Sequence, residues 1–180
     1  MPFSFEKLAI PDVILVKPRI FKDERGSFLE TYERRAFEAA GIFGEFVQDN
    51  HGVSSRRGVL RGLHFQRDPQ AQAKLVRCLR GRIFDVSVDL RRGSPTYGKF
   101  VAAELDGESQ HMIYVPRGFA HGYITLSDGS EVQYKVDAPY APAAEGGLIW
   151  NDPDVAIPWP IQDPSLNDRD LKWPRLKDLR

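Results

Sequence analysis

A chain of 180 residues with 25 lysines and arginines against 25 aspartates and glutamates can bury one good core and has no global positive field for non-specific nucleic-acid binding. Cys78 is the only cysteine, which excludes an internal disulfide and suits a reducing, cytoplasmic setting. Pro2, Pro11 and Pro18 interrupt the opening segment and no later apolar run could span a bilayer, so neither a signal peptide nor a membrane partner is expected. In chain order, the first clear element is a helix. Thr31 can cap it, Tyr32, Ala36 and Ala40 recur at helical spacing, and Gly41 can end it. The run Gly58–Gln66 reads as a strand; if it is regular, His64 shares a face with Leu60 and Gly62, and Gly62 leaves space beside the imidazole. From Ile83 to Leu90, Phe84, Val86, Val88 and Leu90 alternate with Asp85, Ser87 and Asp89, which is a strand with one polar face. From Glu131 to Asp137 the same period puts Val132, Tyr134 and Val136 on one face, with Tyr134 inward. Turns are marked by Arg92–Pro95, Asp106–Gly107 and Ser127–Gly129. A short helix is possible from Ser165 to Leu171, limited by Pro174.

These elements predict one mainly β domain over residues 1–180, an antiparallel set of roughly ten strands that must close or stack into two sheets to hide its edges. A double-sheet jelly roll is one such solution, and the helix from Tyr32 to Ala40 then lies outside it.

The chemistry-bearing residues cluster around the histidines. His64 lies in Gly58–Gln66, and His121 follows the turn residues Pro116 and Gly118, so both imidazoles can enter one cavity. Taken alone, either is more often a hydrogen-bonded core group than a functional one. Arg25, Lys74 and Arg77 lie near strand starts or turns, where one barrel mouth could collect them, though scattered surface charge is the ordinary reading for each. A metal centre of two close histidines, a later glutamate and a third histidine finds too few ligands here, and Lys74 and Arg77 would repel a divalent ion. No metal and no other cofactor are expected.

The segments Gly58–Gln66, Lys74–Leu90, Ile113–Ser127, Gln133–Lys135 and Glu145–Asp152, with Asp23–Gly26, Gln48–Asn50 and Ile157–Pro160, closely resemble the dTDP-4-dehydrorhamnose 3,5-epimerase family. The resemblance implies a cupin-type double-stranded β-helix (jelly roll) with a few short peripheral helices, a homodimer and a metal-independent reaction. It implies that His64 is the catalytic base, Tyr134 the acid, and Asp170 the carboxylate that orients the histidine. It puts Arg25, Glu30, Gln48, Asp49, Asn50, Arg61, Lys74, His121 and Glu145 on substrate-binding positions, with Tyr140 stacking on thymine. Arg169 occupies a substrate-binding position that is lysine in some relatives, a change that is not neutral.

The implied substrate is a dTDP-4-keto-6-deoxy sugar, and its chemistry suits those residue types. Removing the hydrogen on C3 or C5 puts negative charge on the C4 oxygen, and Lys74 is the candidate to stabilise it. Inversion needs one group to take a proton from one face and another to return a proton to the opposite face. Histidine ionises near neutrality and a phenol can donate while neutral. Arg25 and Arg61 can each present a planar fork to a diphosphate. In a regular strand Arg61 faces away from His64, so either a bulge re-aims it or it serves a neighbouring subunit, and the second is the favoured expectation. The readings that remain are a double epimerase, an enzyme inverting C3 alone, a non-catalytic sugar-nucleotide-binding cupin and, least supported by its ligand count, a metal-dependent oxygenase.

Overall fold

The computed structural model describes residues 1–179. The chain begins with β1 (Phe3–Lys7) and β2 (Ile14–Pro18), followed by a hairpin of β3 (Ile20–Asp23) and β4 (Gly26–Leu29) and by α1 (Arg34–Ala39). Then come β5 (Gln48–Ser54), β6 (Leu60–Gln66), β7 (Lys74–Arg80), β8 (Arg82–Asp89), β9 (Phe100–Asp106), β10 (Met112–Val115), β11 (Phe119–Thr125), β12 (Ser130–Val136) and β13 (Glu145–Gly147). Two sheets result, one ordered β1-β2-β10-β7-β12-β5 and the other β13-β6-β11-β8-β9, while β3 and β4 pair only with each other. Neighbouring strands are antiparallel throughout. The molecule is a mainly β jelly roll of the cupin type with few and short helices.

Three apolar layers hold it together. Val76, Cys78, Ile113, Val115 and Val132 from the six-stranded sheet meet Ile83, Val101, Leu105, Phe119 and Tyr123 from the five-stranded one, and this is the interior of the sandwich. The outer face of the six-stranded sheet is closed by Phe37 of α1, which packs with Phe3, Val16, Leu75 and Met112. The outer face of the five-stranded sheet carries Leu60, Leu63, Val86, Val88 and Ile124, and Leu148, Val155 and Trp159 from the C-terminal segment cover it. Burying side chains of this size stabilises by about 1.5–3 kcal/mol each, so a segment with almost no regular structure still contributes a full layer.

This third layer explains the alternation in β8. Its apolar residues Val86 and Val88 face outward beneath the C-terminal segment, whereas Asp85, Ser87 and Asp89 share the buried inner side with Ile83. The expected polar face exists, and it is the inside of the barrel. Asp89 tolerates burial because Arg91, Ser94 and Thr96 all donate to it.

Two helix expectations need correction. The cap of α1 is Glu33, whose carboxylate accepts from the backbone of Arg35 and Ala36, and not Thr31; a carboxylate two or three residues from the first free N–H groups satisfies them directly. Of the proposed Ser165–Leu171 helix only the last two residues are helical, as part of a 3-10 turn, Asp170–Lys172. Asn167 accepts from the Asp170 backbone there, and Asp170 is drawn into the core by other partners.

Candidate active site

A cavity of about 380 Å³ opens between the two sheets. β6 and β11 supply one wall, β5, β7 and β12 the opposite one, and the C-terminal segment a third. The wall from β6 depends on an irregularity. His64 pairs with His121 and Arg61 with Tyr123, so the two residues Gly62 and Leu63 stand opposite the single residue Gly122. That is a β-bulge. It changes the side-chain parity, turning Leu60 and Leu63 outward into the covered layer while Arg61 and His64 both line the cavity.

The bulge corrects two expectations. Arg61 lies within reach of the same cavity as His64 in its own chain, so no neighbouring subunit is needed to explain its direction. Gly62 does not leave empty space: its φ is +137°, and a Cβ there would lie 2.6 Å from the Cα of Gly122. The glycine permits a close backbone approach in a conformation that side-chain-bearing residues avoid.

His64 Nε2 lies 2.7 Å from Oδ1 of Asp170. The second carboxylate oxygen accepts from the Gly62 backbone at 3.1 Å, and the Trp173 indole donates to the first at 3.3 Å. Burial raises the Asp170 carboxyl, yet the hydrogen bonds from His64 and Gly62 and the nearby charge of Arg169 prevail and hold it below the usual range. An ionised carboxylate fixed on Nε2 leaves Nδ1 as the ring nitrogen available to a ligand.

Tyr134 enters from β12 on the opposite sheet, directly across from Asn50 of β5. Burial pushes its phenol up, with Arg61 pulling the other way, so it stays neutral over the working range. Lys74 at the start of β7 is buried and reaches Gln72 at 3.3 Å. Burial lowers its ammonium to about 8, opposed by the charge of Asp137. His121 is held by a second buried carboxylate, with Nε2 2.8 Å from Asp85, whose carboxyl is raised by burial against the pull of that imidazole.

At the mouth, Tyr140 donates to Glu145 at 3.3 Å, and one Arg169 nitrogen contacts both Glu145 oxygens at 2.9 Å. Thus His64, Tyr134, Asp170, Lys74, Asn50, Arg61, His121, Tyr140, Glu145 and Arg169 all line one cavity. Gln48 stands just outside that lining and braces it, bonding Asn50 and accepting from the Tyr140 backbone. Asp49 points to the other face of β5, where it pairs with Lys135 at 2.9 Å. Arg25 and Glu30 are exposed on or beside the β3–β4 hairpin and do not reach the cavity of their own chain. Sequence reasoning missed Gln66, Gln72 and Tyr123, all lining residues. Tyr123 was within reach, because it is two residues from His121 on one strand and period two puts both on one face. Among the described residues no group of three or more His, Cys, Asp or Glu comes together as a candidate metal site.

A phenol and a carboxylate-held imidazole enter one cavity from opposite sheets of a jelly roll, with a buried lysine in the same lining, an arrangement suited to moving protons on a carbon acid. Comparison narrows the class. Residues 7–178 match the family model described as dTDP-4-dehydrorhamnose 3,5-epimerase, and this chain belongs to that family. The enzyme of that description from Pseudomonas aeruginosa is 54% identical over 166 residues, covering 91% of each chain. The dTDP-6-deoxy-D-glucose-3,5-epimerase of Legionella pneumophila, solved with dTDP-4-keto-L-rhamnose, superposes with a TM-score of 0.95 at 39% identity over 99% of this chain and 95% of that one. A 3'-monoepimerase from Streptomyces bikiniensis, solved with dTDP-quinovose, gives 0.88 at 37% identity over 94% and 86%.

Proposed function

We propose that the chain converts dTDP-4-dehydro-6-deoxy-D-glucose to dTDP-4-dehydro-L-rhamnose by inverting C3 and C5, with His64 as base and Tyr134 as acid. The observation that carries this is the entry of those two side chains into one cavity from opposite sheets. His64 Nδ1 removes the proton next to the C4 carbonyl, Asp170 stabilises the imidazolium that forms, and the charge gathers on the C4 oxygen. Lys74 faces that oxygen as an ammonium with little competing water, where a fixed cation interacts strongly with developing charge. Tyr134 then returns a proton to the opposite face. Arg61 and Arg169 serve the diphosphate, and Tyr140, braced by Gln48 and Glu145, stacks on the thymine.

Arg25 and Glu30 act on the substrate of a second copy. The hairpin that carries Arg25 exposes Phe21 and Phe28, at 47% and 68%, and apolar residues displayed this way suit contact with a partner chain. A homodimer that trades hairpins explains why two expected binding residues lie outside their own cavity. We also infer a cytoplasmic site of action, supported by the single, buried thiol of Cys78. No helix among the described residues is long and apolar enough to cross a membrane.

Inversion of C3 alone is the second reading, favoured by the structural likeness to a monoepimerase. Incubation with dTDP-4-keto-6-deoxyglucose in heavy water, followed by NMR, separates them. Deuterium at C3 and C5 supports the double epimerase, deuterium at C3 alone the narrower enzyme, and none the binding module.

A further inference from the structure

Two inversions at one site make a demand that one phenol does not meet. After Tyr134 gives its proton to the first carbon it is a phenolate, and it must be a phenol again before the second carbon can be reprotonated. We propose that Tyr123 recharges Tyr134 between the two inversions, an inference that rests on the two-centre reading above.

Tyr123 lines the cavity although it is only 4% exposed. It stands on the same face of β11 as His121, their rings 6.5 Å apart, and pairs across the sheet with Arg61. Its hydroxyl crosses to the opposite sheet, lying 3.3 Å from the point where Gly52 would carry a Cβ. Gly52 is two residues from Asn50, the cross-strand neighbour of Tyr134, so the hydroxyl reaches the strip of sheet from which Tyr134 rises. No hydrogen bond to protein contributes to the ionisation of either phenol, and both feel Arg61 as the leading opposing charge. Burial raises the Tyr123 phenol to about 12 and raises the Tyr134 phenol in the same direction, so each hydroxyl holds its proton at neutral pH and has one to give.

The step balances. The Tyr134 O–H bond breaks as the new C–H bond forms, leaving the electron pair on the phenolate oxygen. The Tyr123 O–H bond breaks next and its proton moves to Tyr134. The Tyr123 phenolate, beside Arg61, takes a proton from water at the mouth, while His64 returns to solvent the proton it removed from carbon.

Tyr123→Phe removes only the oxygen and keeps the ring in the core. Label is followed at C3 and C5 in heavy water over time. In the unaltered protein the singly inverted sugar does not accumulate; in Tyr123→Phe it accumulates, and the second centre labels at least about tenfold more slowly than the first, with KM little changed. Gly52→Ala, whose methyl group would lie 3.3 Å from the hydroxyl and crowd it while retaining the phenol, gives a smaller lag in the same direction, and this excludes a folding defect peculiar to the Phe variant. An unchanged ratio of second- to first-centre labelling in both variants overturns the relay, whatever the overall rate. Failure of the underlying reading looks different: there the unaltered protein itself labels one centre or none, and the relay falls with it.

Discussion

At the residue scale, the site depends on charges taken out of water. Lys74 has lost hydration without gaining a direct carboxylate partner, which is why its ammonium sits near 8 and not in the usual lysine range. Its positive form exists below that value, and the positive form is what an enolate oxygen needs. The pH profile of kcat/KM is therefore expected to fall on its basic side as pH rises through about 8, and Lys74→Met should lose that limb together with about 10²–10³-fold in kcat/KM. The same scale shows what could be read from sequence. Tyr134 points inward because Val132 and Val136 flank it at period two, and the observed strand keeps that period. His64 also reached its expected destination, but through a bulge and not through the regular strand from which inward parity was inferred. Its orienting carboxylate, Asp170, lies 106 positions along the chain, a separation that local pattern cannot bridge; the family resemblance alone suggested it.

At the scale of elements, the junction of β6 and β11 carries most of the geometry. Gly62 and Gly122 face each other so closely that neither can hold a methyl group without moving backbone, since a Cβ on Gly122 would lie 2.7 Å from the Arg61 carbonyl oxygen. Gly62→Ala is thus expected to destabilise by about 2–4 kcal/mol and to lower activity more than stability alone explains, because the bulge aims His64. Thermal melting and turnover on the folded fraction measure both effects, and a variant with unchanged melting and kinetics contradicts the role given to the bulge. The sequence raised a bulge only as the less favoured account of Arg61, because a glycine in a strand pattern signals either a bulge or simple close approach, and only the pairing register distinguishes them. β8 teaches a related lesson. Alternation identified its two faces, yet its polar face turned inward, because the C-terminal segment covers the apolar one. Asp85, Ser87 and Asp89 are buried on that inner side, where Asp85 holds His121 and Asp89 accepts from Arg91, Ser94 and Thr96.

At the scale of the whole molecule, strand spacing and turn residues led to an antiparallel sandwich or barrel, the family resemblance narrowed it to a jelly roll, and the cover of the five-stranded sheet was announced by neither. The segment after β13 has no periodicity to announce that Val155 and Trp159 are core. Arg25 and Glu30 lie outside the cavity of their own chain, on or beside an exposed hairpin. If those residues serve a second copy, mixing Arg25→Ala protein with His64→Asn protein should give mixed dimers that hold one intact site in two. Turnover should then exceed the sum of the separate variants. No gain on mixing, with exchange of subunits verified by mass, argues that each chain works alone.

The central claim is that base and acid act from opposite faces of one carbon, and the stereochemistry of exchange in Tyr134→Phe tests it most directly. With His64 intact and the opposing acid removed, deuterium from heavy water should enter the starting sugar without inversion, at least about 10²-fold faster than epimer forms, while His64→Asn should show neither exchange nor inversion. Inversion by Tyr134→Phe at close to the unaltered rate would contradict the assignment.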